Sequence, residues 1–185
     1  MEISWLLRKG CASFLLLILL FQITSGSEIK EKSESFITNT FNGDAALEFR
    51  KLAIPTQLKS VIQKQVKQKF FRDDVYFWIV KNNNKIIGYA LLDNVMGKAL
   101  PITFLVVLDT SLSIRAVSII KYRETIGGEI ANKNWTAQFV NKNATSGFLL
   151  GRDIDGISGA TMSVVSVSKG VEKLVLLLSK IKDSL

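Results

Sequence analysis

The chain has 185 residues, of which 48% are hydrophobic and 22% charged, a composition typical of one ordinary globular domain. It contains no histidine, and its one cysteine, Cys11, lies in an apolar N-terminal run. These absences exclude a zinc site made of histidine and cysteine, a nucleophile activated by histidine, and a disulfide framework. The net charge of +8 comes largely from lysines at mixed spacing with few aromatic residues among them. We therefore predict a solvated basic surface and no nucleic-acid partner.

The N-terminal segment has the three parts of a secretory signal. Arg8 and Lys9 precede an apolar run that starts at Cys11, and small and polar residues follow it over 24–27. The run ends at Ile23 and is shorter than the roughly 20 residues that a membrane span needs. We predict a signal peptide over residues 1–26, with a short N-terminal anchor as the alternative. Such a signal predicts an extracytoplasmic protein, in the periplasm or on the outer face of the cytoplasmic membrane.

The next segment, residues 27–45, is polar and mixed in charge, and we predict a linker there, followed by one folded domain over residues 46–185. Within that domain, apolar residues recur every fourth position over residues 55–71 and predict a helix that starts at Pro55. Residues 75–81 and 85–92 are rich in β-branched and aromatic residues around an Asn82-Asn83-Asn84 turn, which predicts a β-hairpin.

The second half of the domain continues this mixed pattern. Residues 102–108 and 114–122 predict a second antiparallel pair of strands, residues 130–140 a short helix, and residues 164–181 the longest helix. Strands joined by short turns favour an antiparallel sheet. The predicted fold class is therefore α+β, an antiparallel sheet of about four or more strands with flanking helices.

The loop before the last helix is where chemistry is most plausible. Ser158, Gly159 and Ala160 are small and allow close approach to the backbone, and the free N–H groups of a helix start favour a phosphate. Thr161 presents a hydroxyl at that point. The alternative is that these residues simply cap the helix, since serine and threonine are common helix openers. No Gly-Lys-Ser or Gly-Lys-Thr follows, which excludes a Walker A loop.

Three blocks of the sequence resemble one family, the FMN-binding domain of the flavin-carrying subunits of the Na+-translocating NADH:quinone reductase and of the Rnf electron-transport complex. The first block is Asp155-Gly156-Ile157-Ser158-Gly159-Ala160-Thr161. The second is Glu124-Thr125-Ile126-Gly127, where isoleucine replaces a common proline, together with the helix after it. The third is Gly97-Lys98-Ala99-Leu100-Pro101-Ile102. The resemblance covers roughly residues 74–175.

The resemblance implies that FMN is attached covalently, through its phosphate, to the hydroxyl of Thr161. Attachment through the phosphate needs neither histidine nor cysteine, and so the composition permits it. The resemblance also implies a partner, a flavin transferase that takes FMN from FAD with Mg²⁺. Thr161 is then an anchor, no residue is assigned a catalytic role, and the cofactor supplies the redox chemistry.

The other predicted site residues surround that anchor. Ser158, Gly159 and Ala160 form the phosphate loop, and Glu124, Thr125, Ile126 and Gly127 are predicted at the edge of the flavin ring. Lys98 is predicted to face a reduced flavin or a phosphate, although a solvated lysine is an equal alternative. Asp155 either holds the loop by a bond to the backbone or is read by the modifying enzyme.

Three functions remain open from the sequence. The leading hypothesis is an exported electron carrier with covalent FMN on Thr161 and a redox partner at the membrane. The second is a non-redox module that binds FMN or another phosphate-bearing ligand noncovalently. The third is a basic protein of the cell envelope in which the motif only caps a helix.

Overall fold

The fold is built around a five-stranded antiparallel sheet in which each strand pairs with the next along the chain. The computed structural model describes residues 26–185, and the predicted signal lies almost entirely outside them. The strands are β1 (Ala46–Ala53), β2 (Asp74–Asn82), β3 (Lys85–Met96), β4 (Pro101–Asp109) and β5 (Ile114–Lys121). The predicted α+β class is confirmed, with β1 as an additional strand.

Both faces of this sheet are buried, because helices pack on each of them. Phe77 and Ile79 of β2 lie in the larger core, on the face covered by the C-terminal helix, whereas Trp78 and Val80 lie in a second core on the opposite face. Alternate residues of a strand point to opposite faces. This two-sided burial explains why the strands are continuous apolar runs rather than alternating ones.

The two predicted antiparallel pairs are present. Asn83 and Asn84 connect β2 to β3, and both have positive φ, of 47° and 60°. Asparagine tolerates this left-handed conformation better than most residues, and two such residues in succession match the right-handed twist of the paired strands. The register that follows places Tyr76 opposite Leu92, and in the next pair Asn94 opposite Thr103.

Helices α2 (Thr56–Val66) and α4 (Thr161–Ile181) cover the larger core. Pro55 stands just before the first residue of α2, and α4 begins three residues earlier than its apolar pattern predicts. The predicted helix over 130–140 is broken into a 3₁₀ turn (Gly128–Ala131), the short α3 (Lys133–Thr136) and a second 3₁₀ turn (Ala137–Phe139).

The predicted linker over residues 27–45 is wrong for most of its length. Residues 26–40 are helical, and we call this helix α1. Ile37 and Phe41 are buried in the second core, against Trp78 and Val80. The many charged residues of this segment lie on the exposed side of α1. They outnumber the apolar residues of its buried side, and so the sequence shows no clear helical periodicity. None of the helices within residues 26–185 has the length and hydropathy that crossing a membrane requires.

Candidate functional site

The site predicted from the sequence is built at the start of α4. The residue before the helix is Ala160, and no side chain caps the helix N-terminus. Thr161 is the first helical residue and is exposed. The first turn also contains no acidic residue. The motif therefore does not cap α4 through a side chain. The N–H groups of the first turn remain available to an anion, which the helix dipole favours.

The loop after β5 packs directly on this helix start. Gly127 has φ +89°, and a Cβ added there would lie 2.7 Å from Ala160 Cβ and 2.8 Å from the Tyr122 hydroxyl oxygen. No side chain fits in that space, and glycine adopts this φ without strain. Gly159 also has a positive φ, of +77°. Gly127 therefore lets the two predicted loops approach each other, whereas a Cβ on Gly159 would only contact Ile126 Cγ2 at 3.7 Å, and its φ alone favours glycine.

Tyr122 joins the two loops by its hydroxyl group. It donates a hydrogen bond to the carbonyl oxygen of Ile126, and its oxygen lies 3.3 Å from Ser163 Oγ, on the first turn of α4. Tyr122 thus positions the 124–127 loop relative to the helix.

Glu124 organises the loop between β3 and β4. Its Oε1 accepts hydrogen bonds from the backbone N–H groups of Ala99, at 2.9 Å, and Leu100, at 3.2 Å. These bonds, with a smaller contribution from the Lys98 charge, lower the pKa of Glu124. A Cβ on Gly97 would overlap the same carboxylate oxygen. Glu124 therefore stays ionised and holds the segment that carries Lys98.

The loop before α4 is held by the short helical segment, through the backbone of Asp155. The Asp155 N–H donates to Gln138 Oε1 at 2.7 Å, and the Asp155 carbonyl oxygen accepts from Trp135 Nε1 at 2.9 Å. The Asp155 side chain itself is exposed. Trp135 is also packed edge-on against Phe139, with ring centroids 5.3 Å apart. Trp135 and Gln138 thus fix the position of the 155–161 loop through the backbone of Asp155.

These contacts produce an open pocket of about 270 Å³ at the start of α4. Six predicted site residues line it: Lys98, Glu124, Ile126, Gly159, Ala160 and Thr161. Gly127 lies buried beside the pocket, against Ala160. Thr125, Asp155 and Ser158 are exposed and do not line it. Separate stretches of sequence are therefore brought together around the Thr161 hydroxyl.

Sequence reasoning missed three residues of this site. Met162 and Ser163 line the pocket, and Tyr122 contacts both of its loops. Met162 and Ser163 could have been predicted from the sequence, because they follow Thr161 in the first turn of α4. Nothing in the sequence indicates the role of Tyr122, since its contact with Ser163 joins residues 41 positions apart.

Comparison with known families supports the resemblance noted from the sequence. Residues 97–175 match the model of a family described as the FMN-binding domain. This segment, which is less than half of the chain, is similar to that family. The matched segment runs from the β3–β4 loop into α4 and contains every predicted site residue. A comparison with curated proteins finds no match to the chain.

The pocket at the start of α4 suits the phosphate end of FMN, the ligand for which the matched family is described. A phosphate needs hydrogen-bond donors and positive charge, and the uncapped α4 N-terminus supplies both. Lys98 adds a cation at the pocket wall, while the one lining carboxylate, Glu124, is occupied by backbone N–H groups. In the part of the chain that the structure describes, no three carboxylate or cysteine side chains gather to hold a metal ion.

Proposed function

We propose that this protein is an exported flavoprotein electron carrier whose FMN is joined through its phosphate to Thr161. The observation that carries the proposal is the position of Thr161: an exposed hydroxyl on the first residue of an uncapped helix, inside a pocket of the FMN-binding domain. Flavin binding is what the family implies. The covalent bond, export and electron transfer are our additions.

The proposed attachment is a transfer of FMN from FAD by a flavin transferase that uses Mg²⁺. The Thr161 oxygen forms a bond to the FMN phosphorus, the pyrophosphate bond of FAD breaks, and AMP leaves. The hydroxyl proton is released. The exposure of Thr161 supports this, because a separate enzyme must reach the hydroxyl.

Within the loaded pocket, each residue has a defined task. The N–H groups at the start of α4 offset the remaining phosphate charge, and Lys98 adds to the positive potential. Tyr122 and Gly127 hold the 124–127 loop beside the anchor, and Glu124 fixes the Lys98 loop. Bound FMN supplies the electron transfer, and a covalent anchor prevents its loss in a dilute extracytoplasmic space. A redox partner at the membrane would complete the chain of electron transfer.

The test compares two threonines that occupy equivalent places. Thr161 opens α4 and Thr56 opens α2, and both are exposed. The chain, Thr161→Val and Thr56→Val are each co-expressed with a flavin transferase, denatured and weighed intact. We expect a gain of one FMN less one water in the chain and in Thr56→Val, and none in Thr161→Val.

The other functions predict different results. Flavin that copurifies but is lost on denaturation would support a noncovalent binding module and overturn the covalent bond. No flavin in any sample, with the transferase active on another substrate, would overturn the proposal altogether.

A further inference from the structure

A second cavity, of about 400 Å³, lies on the α1 side of the sheet, and we call it the α1-side cleft. Its floor is aromatic: Phe49, Tyr76 and Trp78 line it. The centroid of the Phe49 ring is 5.6 Å from that of Tyr76 and 5.2 Å from that of Trp78. Its volume is in the range of small-molecule sites. The apolar surface of its floor comes from the partly exposed rings of Phe49 and Tyr76, which are tilted 45° to each other, because Trp78 is fully buried.

Four cationic side chains surround this floor: Lys30, Lys51, Arg72 and Arg123. Two of them have carboxylate partners, since Lys30 lies 3.7 Å from Glu34 and Arg72 lies 3.4 Å from Asp74. Within residues 26–185, Lys51 and Arg123 form no ion pair. Within the part of the chain that the structure describes, the cleft therefore has a positive charge that no carboxylate neutralises.

Arg123 is held in place, and part of its guanidinium remains available. Its Nη1 donates to the Pro101 carbonyl oxygen at 2.7 Å and to Thr103 Oγ1 at 3.0 Å. Both bonds come from one nitrogen, and within the described residues Nη2 and Nε donate to no protein acceptor. Burial lowers the pKa of Arg123, though an arginine remains charged at any ordinary pH. A fixed guanidinium with free donors suits an acidic group of a ligand.

The lysines already lie near the aromatic faces of the cleft. Lys30 Nζ is 4.8 Å from the centroid of the Phe49 ring, and Lys51 Nζ is 5.7 Å from that of Tyr76. Both ammonium groups lie over ring faces, so a ligand ring on this floor would displace them to its edge, where they could pair with its acidic group. From these contacts we infer that the α1-side cleft binds a flat aromatic anion, an aryl carboxylate or sulfonate.

This inference is independent of the proposed flavin site. Trp78 and Leu92 of the cleft belong to the core on the α1 side, whereas Ala160 belongs to the core on the other side. Arg123 lines the cleft, and the next residue, Glu124, lines the pocket at Thr161. The two sites are therefore on opposite faces at the same end of the sheet, and either one can fail without the other.

The test is equilibrium dialysis with three probes: naphthalenesulfonate, the neutral naphthol of the same ring size, and methanesulfonate, which has no ring. The full chain is used as the expressing cell processes it, with its N-terminus established by intact mass. We expect saturable binding of one naphthalenesulfonate, about tenfold weaker binding of naphthol, and no measurable binding of methanesulfonate.

Variants assign the binding to the cleft. Lys51→Gln and Arg123→Gln should each weaken naphthalenesulfonate about fivefold and leave naphthol unchanged. Lys85→Gln, on the hairpin turn away from the cleft, is the matched control and should change neither. Equal affinity for the sulfonate and naphthol, no saturable binding, or undiminished binding in both cleft variants would overturn the inference. Binding of methanesulfonate as tight as that of naphthalenesulfonate would overturn the aromatic part of it.

Discussion

Gly127 is the residue that most sharply limits the geometry of the pocket at the start of α4. Its positive φ and its contact with Ala160 leave no room for a side chain. We expect Gly127→Ala to lower the free energy of unfolding by about 1–3 kcal/mol, because the new methyl group must displace either the loop or α4. Chemical denaturation measures this loss.

The adjacent glycine supplies the control for that measurement. Nothing lies within 4 Å of a Cβ added to Gly128, and its φ is not in the left-handed range. Gly128→Ala should therefore change stability by less than about 1 kcal/mol, in either direction. Equal losses in the two variants would contradict the packing of the 124–127 loop on α4.

The residues around Gly127 also show what sequence can and cannot predict at this scale. Thr161, Gly159 and Glu124 were identifiable because each lies in a short motif. The partners of Glu124, which are the N–H groups of Ala99 and Leu100, were not, because backbone groups carry no sequence signal. Likewise, the exposure of Thr125 and Asp155 depends on how their loops turn.

At the scale of elements, α4 is tied to the sheet by a buried ion pair. Lys173 lies 2.9 Å from Asp93 of β3, with their side chains 0% and 3% exposed. Lys173 Nζ also donates to the Lys69 carbonyl oxygen at 3.0 Å, in the segment after α2. One ammonium group thus joins three elements. Burial raises the pKa of Asp93 and lowers that of Lys173, so that each depends on the other to stay charged.

Removing only the lysine should be costly. We expect Lys173→Met to lower the free energy of unfolding by about 3–5 kcal/mol at neutral pH, because it leaves the Asp93 carboxylate buried without a counter-charge. The raised pKa of Asp93 fixes the sign of the pH dependence. Because Lys173 lowers the pKa of Asp93, that pKa is raised further in the variant. The loss is greatest when the pH is above the pKa of Asp93 in the variant, and it shrinks as the pH falls below that pKa and Asp93 becomes protonated.

Urea denaturation at about pH 7 and about pH 5 tests this, with Asp93→Asn/Lys173→Met as the comparison. The double variant has no buried charge to protonate, and so its stability should not show this dependence on pH. A single variant that is as stable at neutral as at acidic pH would contradict the account of the pair.

Helix periodicity and turn chemistry made most elements predictable. The Asn82-Asn83-Asn84 turn and the apolar stripe of α4 are strong local signals, and both elements are present. Helix α1 and strand β1 were missed for a common reason. In each, charged residues interrupt the apolar ones, and each is stabilised by a distant partner, Trp78 and its neighbours on β2. Local sequence patterns cannot indicate this partner, because it is distant in the sequence.

For the whole molecule, α1 is the layer that completes the fold. It covers a sheet face that would otherwise expose Trp78, Val80 and Leu105 to water. The domain is therefore larger than residues 97–175, which match the family model. The segment predicted as a linker is part of its core.

Ile37 tests this role of α1, because it is fully buried. We expect Ile37→Ala to lower the free energy of unfolding by about 2–4 kcal/mol, from lost burial and the cavity left behind. Val61→Ala on α2 is the control, since Val61 is 59% exposed and should cost at most about 0.5 kcal/mol. Thermal denaturation of the two variants measures both losses of stability. Similar small losses in Ile37→Ala and Val61→Ala would mean that α1 does not belong to the stable core.

The most direct test of the central claim is the location of the flavin on the chain. After co-expression with a flavin transferase, trypsin releases the peptide 153–169, which contains Thr161 and four serines, Ser158, Ser163, Ser166 and Ser168. Fragmentation of this peptide in a mass spectrometer identifies the modified residue. We predict FMN on the oxygen of Thr161 and on none of the four serines. A peptide that is unmodified while the transferase is active, or one modified at any of its serines, would contradict the account.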